Sequence, residues 1–124
     1  MAKLPALTVK PGDVVVADFP GVQVTKRRPA LVVSTAVYHQ ARPDAILAVL
    51  TGQIAAATQP TDHILREWSA AGLHRPTAYR TFLITLPRQD IVAVIGHVAE
   101  HDWAEIQFCL RRSLLTELAS QVSR

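Results

Sequence analysis

The chain has 124 residues, of which 49% are hydrophobic and 19% charged, a balance that excludes the signature of a disordered chain and suits a single domain over residues 1–124. Thirteen Lys and Arg against ten Asp and Glu leave a net charge of +3, and one cysteine, Cys109, excludes an internal disulfide or a thiolate metal cluster. The segment MAKLPALTVKPGD lacks a secretory core and no apolar run nears the roughly 20 residues of a spanning helix, so no membrane partner and a cytoplasmic location are expected.

After the turn pair Pro11-Gly12, the β-branched segment DVVVADF (13–19) predicts a first strand, closed by Phe19-Pro20-Gly21. A polar, basic loop leads into RPALVVS (28–34), a second strand with Pro29 tolerable at its start, and the two strands predict a hairpin. AILAVLTGQI (45–54) is apolar in both phases, as expected of a central strand covered on both faces. DHILR (62–66) is a short strand candidate, and EWSAAGL (67–73) reads as one helical turn stopped by Gly72.

TAYRTFLITL (77–86) predicts a long strand with Phe82, Ile84 and Leu86 on one side and Arg80 in the same phase at the rim. IVAVIGHV (91–98) is a further strand in which Gly96 marks a bulge or a close approach. The period then changes, with Trp103, Ile106, Leu110, Leu114 and Leu118 at intervals of three and four while Glu117 falls on another face. These residues predict a C-terminal helix, with Asp102 and Glu105 at capping-box spacing and the start within three residues upstream. About five short strands with tight connections and one closing helix predict a mainly β, α+β fold: a small barrel capped by a helix.

The cations are unevenly placed. Lys26, Arg27 and Arg28 crowd the mouth of the second strand, Arg75 and Arg80 bracket a later strand, and Arg111 and Arg112 sit in the helix, a distribution that suits a polyanionic partner. Charges beside an apolar strand also guard its edge against aggregation. His97 and His101 are four apart but straddle a strand-to-helix junction, so no metal site is expected, and no phosphate-loop or dinucleotide motif calls for a cofactor. What remains is a trio at strand ends: Arg28, Thr51 and Arg80. A guanidinium fork and a hydroxyl converging there suit a phosphate on which charge develops. Gln53, Arg75 and Thr77 flank the same strand ends and join Lys26 and Arg27 as candidate contacts. Tyr38, Tyr79 and Trp68 are candidates for stacking on bases, against the more common role of core aromatics.

The blocks GDVVVADFP (12–20), RRPALVVS (27–34), LAVLTGQI (47–54), AGLHRPTAYR (71–80) and IGHVAEHDWAEI (95–106) resemble, in order and spacing, the MazF/PemK-like toxins of toxin–antitoxin systems. The resemblance runs from about residue 11 to residue 118. It implies an SH3-like barrel, a homodimer, metal-independent cleavage of single-stranded RNA, and a cognate antitoxin protein. By the same resemblance Arg28 is the arginine before proline with an acid–base or charge-stabilising role, Thr51 the hydroxyl residue after the third strand, and Arg80 an arginine used as an acid. The chain departs from the family pattern where its first loop, GVQVTKR, has no carboxylate and where Phe82 stands in place of an aspartate. The general base is left open among His39, His74 and Asp18. Two other functions stay open: a non-catalytic toxin gripping a protein such as DNA gyrase, and an RNA-binding module without turnover.

Overall fold

The computed structural model of the protein describes residues 7–21 and 23–115. Six strands form one antiparallel sheet: β1 Asp13–Phe19, β2 Lys26–Val32, β3 Asp44–Thr51, β4 His63–Ile64, β5 Ala78–Pro87 and β6 Ile91–His97. Their spatial order is β4-β5-β3-β2-β1-β6, so β3 is interior and β4 and β6 are edges. Two helices complete the description, α1 Ala36–Ala41 and α2 Glu100–Leu114. The architecture is therefore mostly β with a C-terminal helix, as the sequence predicts. No helix among the described residues is long and apolar enough to cross a membrane.

The alternation of the strands explains two cores. Successive β3 residues face opposite sides, so Ala48 and Leu50 join Val14, Leu31 and Tyr79 on one face, while Ala45 and Leu47 join Val15, Ala17, Ala30, Val32 and Leu86 on the other. The first core is roofed by α2 through Ile106 and Cys109 and by Leu65, Ala71 and Leu73 of the β4–β5 connection. Each fully buried side chain such as Leu31 or Ile106 contributes about 1.5–3 kcal/mol, which explains why a run apolar in both phases settles in the interior of the sheet.

β1 and β2 pair as the expected hairpin, with Asp18 opposite Arg27 and Ala17 opposite Arg28. β2 begins at Lys26 and ends at Val32, two residues earlier at each end than the run RPALVVS predicts. β3 ends at Thr51, after which Ile54–Ala56 form a 3₁₀ turn. The segment 67–73 makes the expected single turn, with Ala71 N donating to Glu67 O at 3.2 Å. Gly72 ends it with a φ of +90°. A Cβ on Gly72 would lie 2.2 Å from Ile95 O, and one on Gly96 would lie 2.1 Å from Ala71 O. The two glycines thus let the 67–73 turn lie directly against β6, the close approach expected at Gly96.

Three expectations are corrected. Phe82 is 54% exposed rather than part of the core face. The cause is Thr81, which adopts a φ of +57° and breaks the β3–β5 register between Ala48 and Leu50. Such a bulge resets which side chains face inward. Asp102 and Glu105 do not form a capping box, because α2 is preceded by Ala99 with no side-chain cap and Asp102 is buried in its first turn. Leu114 is 59% exposed, so the apolar stripe of α2 fades before its end, while Glu117 and Leu118 lie outside the described residues. The short helix α1, with Thr35 capping it by accepting from Tyr38 N, leaves no sequence signal because six residues carry less than two turns of periodicity.

Candidate functional site

The mouths of β2 and β3 open on one side into a groove of about 1030 Å³. It is lined by Lys26, Arg27 and Arg28 from β2, by Thr51, Gly52 and Gln53 at the end of β3, and by His74, Arg75 and Thr77 from the β4–β5 connection, over an apolar base that includes Val16, Leu50 and Ile95. Residues as far apart in the chain as Val16 and Ile95 meet here because antiparallel pairing brings distant strands side by side. Ala30 pairs with Val49 and Leu31 with Ala48, and beyond this pairing Arg28 and Thr51 both line the groove. Seven of the eight sequence candidates therefore line a single concavity.

Their roles differ in detail. Arg27 Nε and Nη2 donate to the two oxygens of Asp18 at 2.8 and 3.2 Å, a bidentate pair set by the hairpin register. That hydrogen bond holds Asp18 below, and Arg27 above, its ordinary pKa. A carboxylate thus does serve the hairpin, though it comes from β1 rather than from the loop. Arg28, by contrast, has no carboxylate within ion-pair distance among the described residues. Thr51 Oγ1 accepts from Gln53 N at 3.1 Å, which turns the chain and leaves the hydroxyl hydrogen free to donate. Arg75 lies over Gly52, where an added Cβ would be 2.9 Å from Arg75 Cδ. Thr77 is buried and donates to Arg75 O at 2.8 Å, so it shapes the wall from within.

Arg80 is the candidate that the fold sends elsewhere. It does not line the groove; its Nε lies 3.8 Å from Asp62 Oδ2 and its guanidinium sits over the Phe82 ring at 5.0 Å. Beside it Tyr79 is fully buried, and burial pushes its phenol up to about 12. None of Tyr38, Tyr79 and Trp68 lines the groove, whose walls among the described residues hold no Phe, Tyr or Trp. The three open candidates for a base also separate. Asp18 is paired with Arg27, and His39 is buried with its Nε2 2.6 Å from Ser34 Oγ, burial pushing its imidazole pKa down. Only His74 among them lines the groove. The sequence signal that sets it apart from His39 and Asp18 is its position inside the block AGLHRPTAYR beside Arg75.

A group of at least three side chains able to hold a metal is absent among the described residues. Chemically, the groove presents fixed cations, a free hydroxyl hydrogen and an imidazole around an open channel, which suits an extended phosphodiester chain.

A family profile described as PemK-like, MazF-like toxin of type II toxin-antitoxin system matches residues 10–114. No curated protein matches the sequence. Among solved structures, the chain is similar to an endoribonuclease in complex with its cognate antitoxin from Mycobacterial species, with a TM-score of 0.71 at 20% identity over 86% of this chain and 95% of that one. It is also similar to the Mycobacterium tuberculosis toxin MazF-mt6, with a TM-score of 0.67 at 17% identity over 82% and 94% of the two chains. MazF from Deinococcus radiodurans gives a TM-score of 0.66 at 21% identity, over 87% and 97%. At these identities the likeness to solved structures speaks to the fold.

Proposed function

The chain belongs to the PemK-like, MazF-like toxins of type II toxin–antitoxin systems, and from that premise we propose that its basic groove is the active site of a metal-independent endoribonuclease acting on single-stranded RNA. The observation that carries this reading is the meeting of Arg28 and Thr51 in one groove with Lys26, Gln53 and Arg75. RNA carries its own nucleophile, the ribose 2′-hydroxyl, so the protein need only align it with the adjacent phosphate, move a proton and stabilise charge. Arg28 fills the last role, since a guanidinium stays positive while the phosphorane charge grows. Thr51 donates its hydroxyl hydrogen to a second phosphate oxygen. Lys26, Arg27, Gln53 and Arg75 hold the flanking chain, and the products are a 2′,3′-cyclic phosphate and a 5′-hydroxyl. Arg80, which lies outside the groove with its Nε 3.8 Å from Asp62 Oδ2, is given no part in this reading.

The same proposal makes residues 1–124 one domain, with the sheet read as an SH3-like barrel around the core shared by β1, β2, β3, β5 and β6. It acts in the cytoplasm as a homodimer, restrained by a cognate antitoxin protein. The mycobacterial endoribonuclease bound to its antitoxin supports that partnership by analogy of fold.

The test is incubation of folded, antitoxin-free protein with mixed-sequence single-stranded RNA in excess chelator. Cut RNA ending in cyclic phosphate is the expected result. Arg28→Ala and Thr51→Ala should each abolish growth inhibition in cells; toxicity unchanged in both variants points to a protein target instead of RNA.

A further inference from the structure

Attack by a 2′-hydroxyl requires a group that takes up its proton, and neither Arg28 nor Thr51 supplies one: a guanidinium is already protonated and an alcohol is too weak a base. The described residues lining the groove include no carboxylate and one imidazole, that of His74. Other histidines are held by other elements. His63 Nε2 lies 2.8 Å from Asp102 Oδ1, His97 Nδ1 lies 3.0 Å from Asp13 Oδ1, and neither lines the groove.

His74 rides on a short segment tied down at both ends. Leu73 is buried and its N–H donates to Trp68 O at 3.1 Å, while Thr77 is buried and its carbonyl accepts from Leu65 N at 3.0 Å. The Thr77 hydroxyl braces the intervening Arg75 carbonyl, and Gly72 rests against Ile95. Between these anchors His74 and Arg75 are exposed. The charged groups that share the groove with the imidazole are Lys26, Arg27 and Arg28 from β2 and its neighbour Arg75, all cations able to hold phosphates while the imidazole handles the proton.

We infer that His74 is the general base of the cleavage, an assignment that rests on the ribonuclease reading of the groove and extends it. The neutral imidazole accepts the 2′-hydroxyl proton as the O2′–P bond forms. The P–O5′ bond breaks with its electron pair passing to O5′, which takes a proton from solvent water. The imidazolium then returns its proton to the hydroxide, leaving a cyclic phosphate and a 5′-hydroxyl with no net uptake of water.

The test measures cleavage against pH for the wild type, His74→Gln and His74→Ala, together with affinity for a 2′-O-methyl oligonucleotide that cannot be cut. His74→Gln should lower kcat by about 10²- to 10⁴-fold with affinity unchanged, and should abolish the rise in rate between acid and neutral pH. Added imidazole should restore part of the rate of His74→Ala. If His74→Gln stays within about threefold of the wild type with the acidic limb intact, the assignment to His74 is overturned while the nuclease reading survives. If the wild type binds the oligonucleotide but cuts no RNA at any pH, the nuclease reading itself falls, and the assignment with it.

Discussion

The mouth of the groove and the buried junction beneath α2 handle charge in opposite ways. At the junction a buried charge is fully paired: Asp102, fully buried, accepts from His63 Nε2 at 2.8 Å, from Arg66 N at 2.9 Å and from Glu67 N at 3.0 Å. At the mouth, exposed cations crowd together, and among the described residues only Arg27 has a carboxylate, that of Asp18. The contrast separates two uses of ionisable residues. A saturated buried charge fixes the fold, whereas cations gathered without counter-charges around a concavity are held ready for an anion from outside. Arg28 and Arg80 are the same residue type on the two sides of this divide, one exposed at the groove and the other outside it, half-buried with its Nε 3.8 Å from Asp62 Oδ2.

If that division is right, substitutions on the two sides should separate stability from activity. The largest effect is expected at Asp102→Ala, which strands three donors and should cost about 3–5 kcal/mol, lowering the melting temperature by on the order of 15 °C. Burial of the Asp102 carboxyl would raise its pKa, but the hydrogen bonds from Arg66 N, His63 and Glu67 N outweigh it and hold the group below its ordinary value of 3.8. Its contribution is therefore full above pH 3.8 and is lost as pH falls further through the folded-state value. Denaturant midpoints measured from about pH 5 down to about pH 2 should fall below pH 3.8 in the wild type, and more gently in Asp102→Ala.

The next effect inverts the pattern. Arg28→Ala should lose about 10²- to 10³-fold in kcat with stability within about 0.5 kcal/mol of the wild type. Arg80→Ala should do the reverse, losing stability while the folded fraction cleaves at the normal rate; equal catalytic losses in both would erase the distinction between the two arginines. Gly72→Ala joins the two regions, because the added Cβ meets Ile95 O at 2.2 Å on a backbone with a φ of +90°. It should cost about 1–3 kcal/mol and also slow cleavage, since the turn that carries His74 and Arg75 is displaced. Chemical denaturation and single-turnover kinetics on one preparation would show both losses. The smallest effect belongs to Arg75→Ala: weaker RNA binding, with the slope of log affinity against log salt reduced by about 0.7.

Local signals carried most of the fold. The turn pair Pro11-Gly12, the β-branched run 13–19 and the doubly apolar run of β3 predict strands that the structure contains, because each depends on residues within a few positions of one another. The basic mouth was equally legible: Arg28 and Thr51 mark the start of one strand and the end of another, and antiparallel pairing of β2 with β3 brings such ends together. Long-range partners were not legible. Thr81 adopts an αL backbone that its residue type does not announce, and this rotates the phase on which the reading of Arg80 and Phe82 depended. Asp102 stands at capping-box spacing from Glu105, but its donors come from positions 63, 66 and 67, which no local pattern ties to it. The bond from the Thr77 hydroxyl to the Arg75 carbonyl was equally out of reach of a local pattern.

The most direct measurement of the central claim is the structure of the protein bound to a single-stranded RNA whose ribose at the cleavage position is 2′-O-methylated. The account predicts the scissile phosphate in the groove, with one oxygen about 3 Å from the Arg28 guanidinium and another at similar distance from Thr51 Oγ1. RNA seated on the Arg80 side of the sheet, or crossing the groove with its phosphates beyond reach of both side chains, would contradict it.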